Sequence, residues 1–157
     1  MKRLVVISLL ALASLVLVPS ALSARPTIQR FPIDATFFDD VDCGFPVQID
    51  IVGTDLEITS GNRVFDAFPQ STATLTNLDT GTSITVSIAG PSQTILNADG
   101  SFTIVGTGPG LFFFTPPPLL PGITSINGRW VLTVDSQGNP TFSSVGGTRD
   151  LCAELAG

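Results

Sequence analysis

The chain is dominated by stretches in which apolar residues alternate with Thr, Ser or Asp. The clearest case is residues 83–88, where Ile84, Val86 and Ile88 alternate with small polar residues. A period of two places successive side chains on opposite faces of a β-strand, so one face can be buried while the other meets water. The same alternation over residues 45–51, 55–59 and 129–135 predicts further strands, and the abundance of Thr, Val, Ile and Phe agrees. Apart from a marginal final turn at residues 150–157, nothing in the sequence indicates a helix.

Turn motifs separate these stretches at short intervals. Asp-Gly, Thr-Gly and Gly-Asn pairs occur at Leu78–Ser83, Asn97–Ser101 and Ser136–Pro140. Such pairs favour tight antiparallel hairpins. The pattern predicts about nine or ten short strands in one all-β unit, either a single antiparallel β-sandwich or a closed antiparallel β-barrel. Periodicity alone does not separate these two architectures.

The N-terminus has the pattern of a secretory signal peptide. Lys2 and Arg3 precede an apolar segment, Leu4–Val18, and small residues follow as far as Ala24. The apolar segment is short for a membrane-spanning helix, which needs about 20 residues. We therefore predict a signal peptide over residues 1–24, with cleavage after position 23 or 24, and a single secreted, extracellular all-β domain over residues 25–157. An uncleaved anchor is the alternative; after cleavage no transmembrane segment is expected.

Charge and composition exclude several classes of function. The chain has a net charge of −6 and no His or Tyr. Without residues 1–24 it keeps all 13 acidic residues but loses two of its seven basic ones, so the net charge becomes −8. This balance argues against nucleic-acid binding, which needs a basic surface. The absence of His removes Ser-His and Cys-His nucleophile pairs as well as His-ligated metal sites.

Two cysteines, Cys43 and Cys152, lie near the two ends of the predicted domain. In an oxidising compartment an even pair of cysteines predicts one disulfide. Two unrelated thiols are the alternative.

Three short segments together resemble small secreted proteins of actinobacteria and similar bacteria. These segments are CGFPV at residues 43–47, the TN and TG pairs of residues 76–81, and DLCAEL at residues 150–155. The resemblance implies a secreted β-domain with a Cys near each end. It implies no activity and no catalytic residues.

Asp39, Asp40 and Asp42 are the most suggestive group of carboxylates. Three such groups within four residues repel one another unless a cation neutralises them, and Ca²⁺ takes oxygen ligands from loops of this kind. A calcium site is therefore one hypothesis, and no other cofactor is indicated. The alternatives are solvated charges before a strand or pairing with Arg30 or Arg149.

Phe112, Phe113 and Phe114 are the best candidates for a binding surface. In a strand, three consecutive side chains cannot all face the same core. Either Phe113 or its two neighbours must point the other way, and an exposed apolar patch would mark a partner site. The alternative is a strand that is covered on both faces. Trp130 shares one face of its predicted strand with Leu132 and Val134. We expect this face to belong to the core rather than to form a carbohydrate-binding surface.

Four carboxylates, those of Asp50, Asp55, Glu57 and Asp66, could serve glycoside hydrolysis, although the alternation points most of them to solvent. No other catalytic set can be assembled from the sequence. We therefore expect a non-catalytic extracellular binding or interaction module with an extracellular or cell-surface partner. A small-ligand carrier in a β-barrel and a carboxylate-dependent polysaccharide hydrolase are the alternatives.

Overall fold

The computed structural model of the chain describes residues 25–113, 120 and 122–157. The predicted signal peptide, residues 1–24, lies outside the described residues and stays a prediction. The described part contains ten strands and one short helix. In chain order these are β1 Thr27–Asp39, β2 Val47–Ser60, β3 Arg63–Ala67, β4 Thr72–Asn77, β5 Ser83–Ser87, β6 Ser92–Leu96, β7 Phe102–Gly106, β8 Pro109–Phe113, β9 Ile123–Val134, β10 Pro140–Asp150 and α1 Leu151–Ala156.

All ten strands belong to one antiparallel sheet that does not close on itself. The main order is β10-β9-β7-β6-β3-β2-β4-β5, with β1 paired to β2 and β8 paired to β9. The all-β, sandwich-like prediction is confirmed. The closed-barrel alternative is wrong, because no ladder among the described residues joins the two ends of this order.

The sheet becomes sandwich-like because two long strands each change partner along one edge. One edge of β2 pairs with β1 along its length, while the other edge pairs first with β4, over residues 47–52, and then with β3, over residues 56–60. Strand β9 does the same, pairing with β10 on one edge and with β8 and then β7 on the other. We call the points of change the two branch points.

On one side of the branch points lies the hydrophobic core, and we call this part the core half. It is formed by β4, β5, β8 and α1 with the adjoining parts of β2 and β9. The fully buried side chains of this core include Val47, Ile49, Leu75, Ile123 and Leu155. Strands β2 and β4 contribute alternate residues, as the period-two pattern predicts, whereas β9 is buried on both faces over residues 123–126.

On the other side of the branch points β3, β6 and β7 join β2 to β9, and we call this part the open half. No residue of β3 or β6 is fully buried, although both strands are described throughout. The open half therefore has two accessible faces, and its side chains are half-buried or exposed.

The predicted hairpins are confirmed, but one long strand was not anticipated. The turns at residues 78–82, 97–101 and 135–139 join β4 to β5, β6 to β7 and β9 to β10. Strand β1 was missed because Pro32 interrupts its pattern. Since β1 pairs only with β2, it is an edge strand, where the missing N–H of a proline is tolerated.

The end of the chain folds back onto the core. Asp150 caps α1 by accepting a hydrogen bond from the Ala153 N–H at 3.0 Å. Leu155 is buried and its carbonyl accepts a hydrogen bond from Asn77 Nδ2. In the described part of the chain, no helix has the length and hydropathy that a bilayer crossing needs.

The predicted disulfide is present and fixes this helix to the segment before β2. Cys43 and Cys152 are bonded, with 5.0 Å between their Cα atoms and a sequence separation of 109. Because both half-cystines pack against the core cluster, the bond connects the start of the core half to its last element.

We expect that replacing Cys43 and Cys152 together with Ala lowers the free energy of unfolding. The chain-entropy model gives about 4–5 kcal/mol for a loop of this length. Urea unfolding of the double variant, compared with the oxidised and reduced parent protein, measures the loss. Two titratable thiols in the denatured, unreduced parent would contradict the disulfide itself.

Candidate functional site

The hydrophobic pattern of β2 changes face at its branch point. Val47, Ile49 and Ile51 occupy odd positions, whereas Leu56 and Ile58 occupy even ones. The register between β1 and β2 is uninterrupted from Thr27↔Thr59 to Asp39↔Val47, so no bulge corrects the phase. The apolar face of β2 is therefore turned to the core in the core half and away from it in the open half.

This change of phase places carboxylates on the face that holds the core. We call the face that carries Val47 and Ile49 the inner face. Asp55 and Glu57 lie on it further along β2, and Asp66 lies beside them because it pairs with Glu57 in register. Three of the four candidate carboxylates therefore share the inner face, and all of them are half-buried. Asp50 lies on the other face of β2, where Thr36 and Gln48 donate hydrogen bonds to it.

One row of the inner face runs across the open half from the carboxylates to Trp130. The row passes from Glu57 to Asp66, Ser92, Gly106 and Trp130, each in register with the next. Residues directly opposite each other in neighbouring strands point to the same face. Neighbouring strands lie about 4.8 Å apart, so this row spans roughly 20 Å.

Beside this row a pocket of about 310 Å³ opens where the two halves meet. Its walls come from both layers of the core half and from the edge of the open half. The aliphatic side chains of the wall are Ile33, Ile51, Ile88 and Leu111. The aromatic ones are Phe68, Phe112, Phe113 and Trp130. Ser92 contributes the one hydroxyl group among the described lining residues.

Gly106 allows Trp130 to lie flat against the sheet. A Cβ atom at Gly106 would come within 2.1 Å of the indole ring, so any larger residue would displace it. The ring also packs edge-to-face on Phe112, with 4.9 Å between ring centroids. Trp130 is therefore half-buried and forms part of the pocket wall, at the opposite end of the row from the carboxylates.

Asp55, Glu57 and Asp66, at the β2 end of the row, are partly buried, and their negative charges repel one another. Burial raises the pKa of Asp66, and the negative charges of Asp55 and Glu57 raise it further. Burial and the charge of Glu57 raise the pKa of Asp55 in the same way. The Oδ1 atom of Asp55 is shielded from solvent and has no hydrogen-bond partner. An unpaired polar atom of this kind costs about 1–3 kcal/mol.

The arginines of the open half are on the opposite face. Arg30 pairs in register with Leu56, and Arg63 pairs with Ser60 and Ile95, which places both away from Glu57. Arg129 alternates with Trp130 on β9 and so also points away from the inner face. The two faces of the open half thus carry opposite charges.

Of the three consecutive phenylalanines, the structure describes Phe112 and Phe113, and neither is fully exposed. Phe112 is 7% exposed, whereas Phe113 is half-buried and packs edge-to-face on Phe37 of β1. Both rings line the pocket. Phe114 lies outside the described residues.

The calcium candidates do not form a cation cage. Oδ1 of Asp39 accepts hydrogen bonds from the backbone N–H groups of Val41 and Asp42, at 3.2 and 2.8 Å. Asp40 is exposed. Burial, together with the neighbouring Asp39, raises the pKa of Asp42. No group of three metal-ligating side chains occurs among residues 25–113, 120 and 122–157.

Sequence reasoning missed most of the pocket. Ile33 lies on the unanticipated strand β1, while Phe68 and Ile88 lie in connections just after strands. The sequence contained one signal of the site. The apolar positions of β2 change from odd to even between Ile51 and Leu56, and without a bulge such a change places polar side chains on the inner face.

Comparisons with protein-family models, with curated proteins and with solved structures found no match to this chain.

We expect that Asp66→Asn stabilises the protein at pH 7. Because its pKa is raised in the folded state, folding becomes less favourable as pH rises from the ordinary value of 3.8 through the folded one, and the cost is complete above it. The gain should be up to about 1 kcal/mol, since solvent screens this half-exposed group, and should vanish in acid below both values. Urea unfolding across this pH range measures it.

Asp135→Asn is the control of opposite sign. Hydrogen bonds from Asn139, and then from the Gln137 and Gly138 amides, lower the pKa of Asp135. This variant should therefore lose stability at neutral pH and approach the parent in acid. Equal effects of the two variants would contradict the electrostatic account of Asp66.

Proposed function

We propose that the chain is a non-catalytic, extracellular binding module whose ligand site is the apolar pocket at the junction of the two halves. The observation that carries this proposal is the pocket itself. Its volume of about 310 Å³ is in the range of small-ligand sites, and eight of its described lining residues have large apolar side chains. Secretion, which the N-terminal sequence predicts, remains part of the proposal.

The bond between Cys43 and Cys152 supports an extracellular location, because disulfides persist in oxidising compartments. A carrier that encloses its ligand in a barrel is less favoured, because the sheet is open. An open pocket suits an apolar group presented by a larger partner or a small ligand in exchange with solvent.

We expect Ser92→Phe to block the pocket. The new ring would enter the pocket from the side of the row, and the affinity for a neutral apolar dye such as N-phenyl-1-naphthylamine should fall by about tenfold or more. Dye fluorescence and energy transfer from Trp130, the one tryptophan of the chain, both measure binding.

Gln93→Phe is the matched control, since Gln93 is the next residue of β6 and faces away from the pocket. It should bind the dye like the parent, and Ser92→Ala should do the same. Thermal unfolding of each variant shows whether it is folded. Unchanged dye binding by folded Ser92→Phe would place the dye elsewhere and contradict the proposal.

One observation favours hydrolysis as a second candidate. Asp55, Glu57 and Asp66 share the inner face, and the raised pKa of Asp66 suits a general acid beside an ionised carboxylate. Release of reducing sugar from polysaccharides by the parent protein, abolished in Asp66→Asn, would support this candidate.

A further inference from the structure

We propose that the ligand of the pocket is an organic cation, with an apolar body that fills the pocket and one ammonium-type group that meets the carboxylates of Asp55, Glu57 and Asp66. This inference rests on the proposed binding function and adds the chemical class of the ligand.

The body of the ligand follows from the lining of the pocket. Phe112 and Trp130 offer an edge-to-face pair of aromatic surfaces, and the aliphatic side chains of β1 and β2 face them. A surface with one hydroxyl group offers little to a polar body such as a sugar or a nucleotide. Burial of an aromatic or aliphatic group is the favourable interaction available here.

The charged group of the ligand follows from the row of residues at the edge of the pocket. Ser92 lines the pocket, and Asp66 stands directly opposite Ser92 on the next strand. Glu57 is one strand further, and Asp55 lies on the same face of that strand. The carboxylates therefore begin one strand spacing, about 4.8 Å, from the wall of the pocket.

The sign of the charge follows from the segregation of acids and bases. In this part of the sheet Arg30, Arg63 and Arg129 lie on the outer face, and none of the three carboxylates forms an ion pair with another described residue. Among the described residues, the ion pair that forms is Arg149 with Glu154, on the other side of the core. A cation from the ligand would offset the mutual repulsion of the carboxylates.

The spacing along the row sets the length of the ligand. The indole of Trp130 lies over Gly106, and Gly106 is two strands from Asp66. Two strand spacings are about 10 Å. A ring on Trp130 joined to an ammonium group by a chain of about four carbons covers this distance.

Three probes with the same body test the charge preference. These are 4-phenylbutylamine, 4-phenylbutanol and 4-phenylbutyrate, which are cationic, neutral and anionic at pH 7. Calorimetry and the fluorescence of Trp130 measure their affinities at low salt. We expect the amine to bind about tenfold more tightly than the alcohol, and the carboxylate to bind most weakly.

Neutral variants identify the carboxylates. In the triple variant Asp55→Asn, Glu57→Gln and Asp66→Asn the amine and the alcohol should bind equally, with the affinity for the alcohol unchanged. The single variant Asp66→Asn should remove part of the difference, which keeps the test open if the triple variant does not fold. Asp34→Asn, on the opposite face, removes a charge without touching the pocket and should keep the full preference.

The outcomes separate the two proposals. If none of the probes binds, or if Ser92→Phe binds all of them like the parent, the proposed function fails. If all three probes bind the parent equally, or if the preference for the amine survives in the folded triple variant, the pocket stands and the inference about the cation is overturned.

Discussion

The uninterrupted register between β1 and β2 is the constraint on which the rest of the structure depends. Thirteen consecutive residue pairs connect the two strands without a bulge, so side-chain parity is preserved across the branch point of β2. At that point Gly53 has a φ of 155°, and a Cβ atom there would meet Ser71 within about 2.0–2.6 Å. Glycine is therefore required where the strand leaves one partner for another. Odd-numbered residues of β2 face inward along the whole strand, but the apolar residues move from odd to even positions after Gly53. The inner face of β2 therefore changes from apolar to acidic at this glycine.

The acidic end of the inner face and the pocket have the same origin. In the core half the inner face is covered by the opposite layer and by α1, so apolar residues are buried completely. In the open half the side chains on this face are only partly covered, and carboxylates are tolerated there at the cost of a raised pKa. The pocket lies at the boundary, where the two layers have separated but the residues are still apolar. An apolar cavity next to unpaired carboxylates is thus the direct result of the sheet changing from two layers to one.

The disulfide holds the covered part of the structure together. Helix α1 is only six residues long and would not be stable alone. Its attachment through Cys152 to Cys43, together with the burial of Leu151 and Leu155, closes the end of the core that lies farthest from the open half. This arrangement leaves the open half free of the covalent constraint. The pocket is still tied to the core, because Ile51, Ile88, Leu111 and Phe113 both line the pocket and pack against the core cluster.

The sequence by itself determined most of the strands, their hairpins and the pairing of the two cysteines. Each of these follows from local rules: the period of two, the chemistry of turn residues, and the presence of one even pair of cysteines. Strand β1 was not predicted, because Pro32 interrupts its alternating pattern. A proline is tolerated in this strand because β1 lies at an edge of the sheet. What the tertiary structure decided is which partner each edge of β2 and β9 takes, and therefore which face is inside. The positions of Asp55, Glu57 and Asp66 beside the pocket could not be derived from alternation, because alternation fixes that neighbouring residues face opposite ways but not which way is inward.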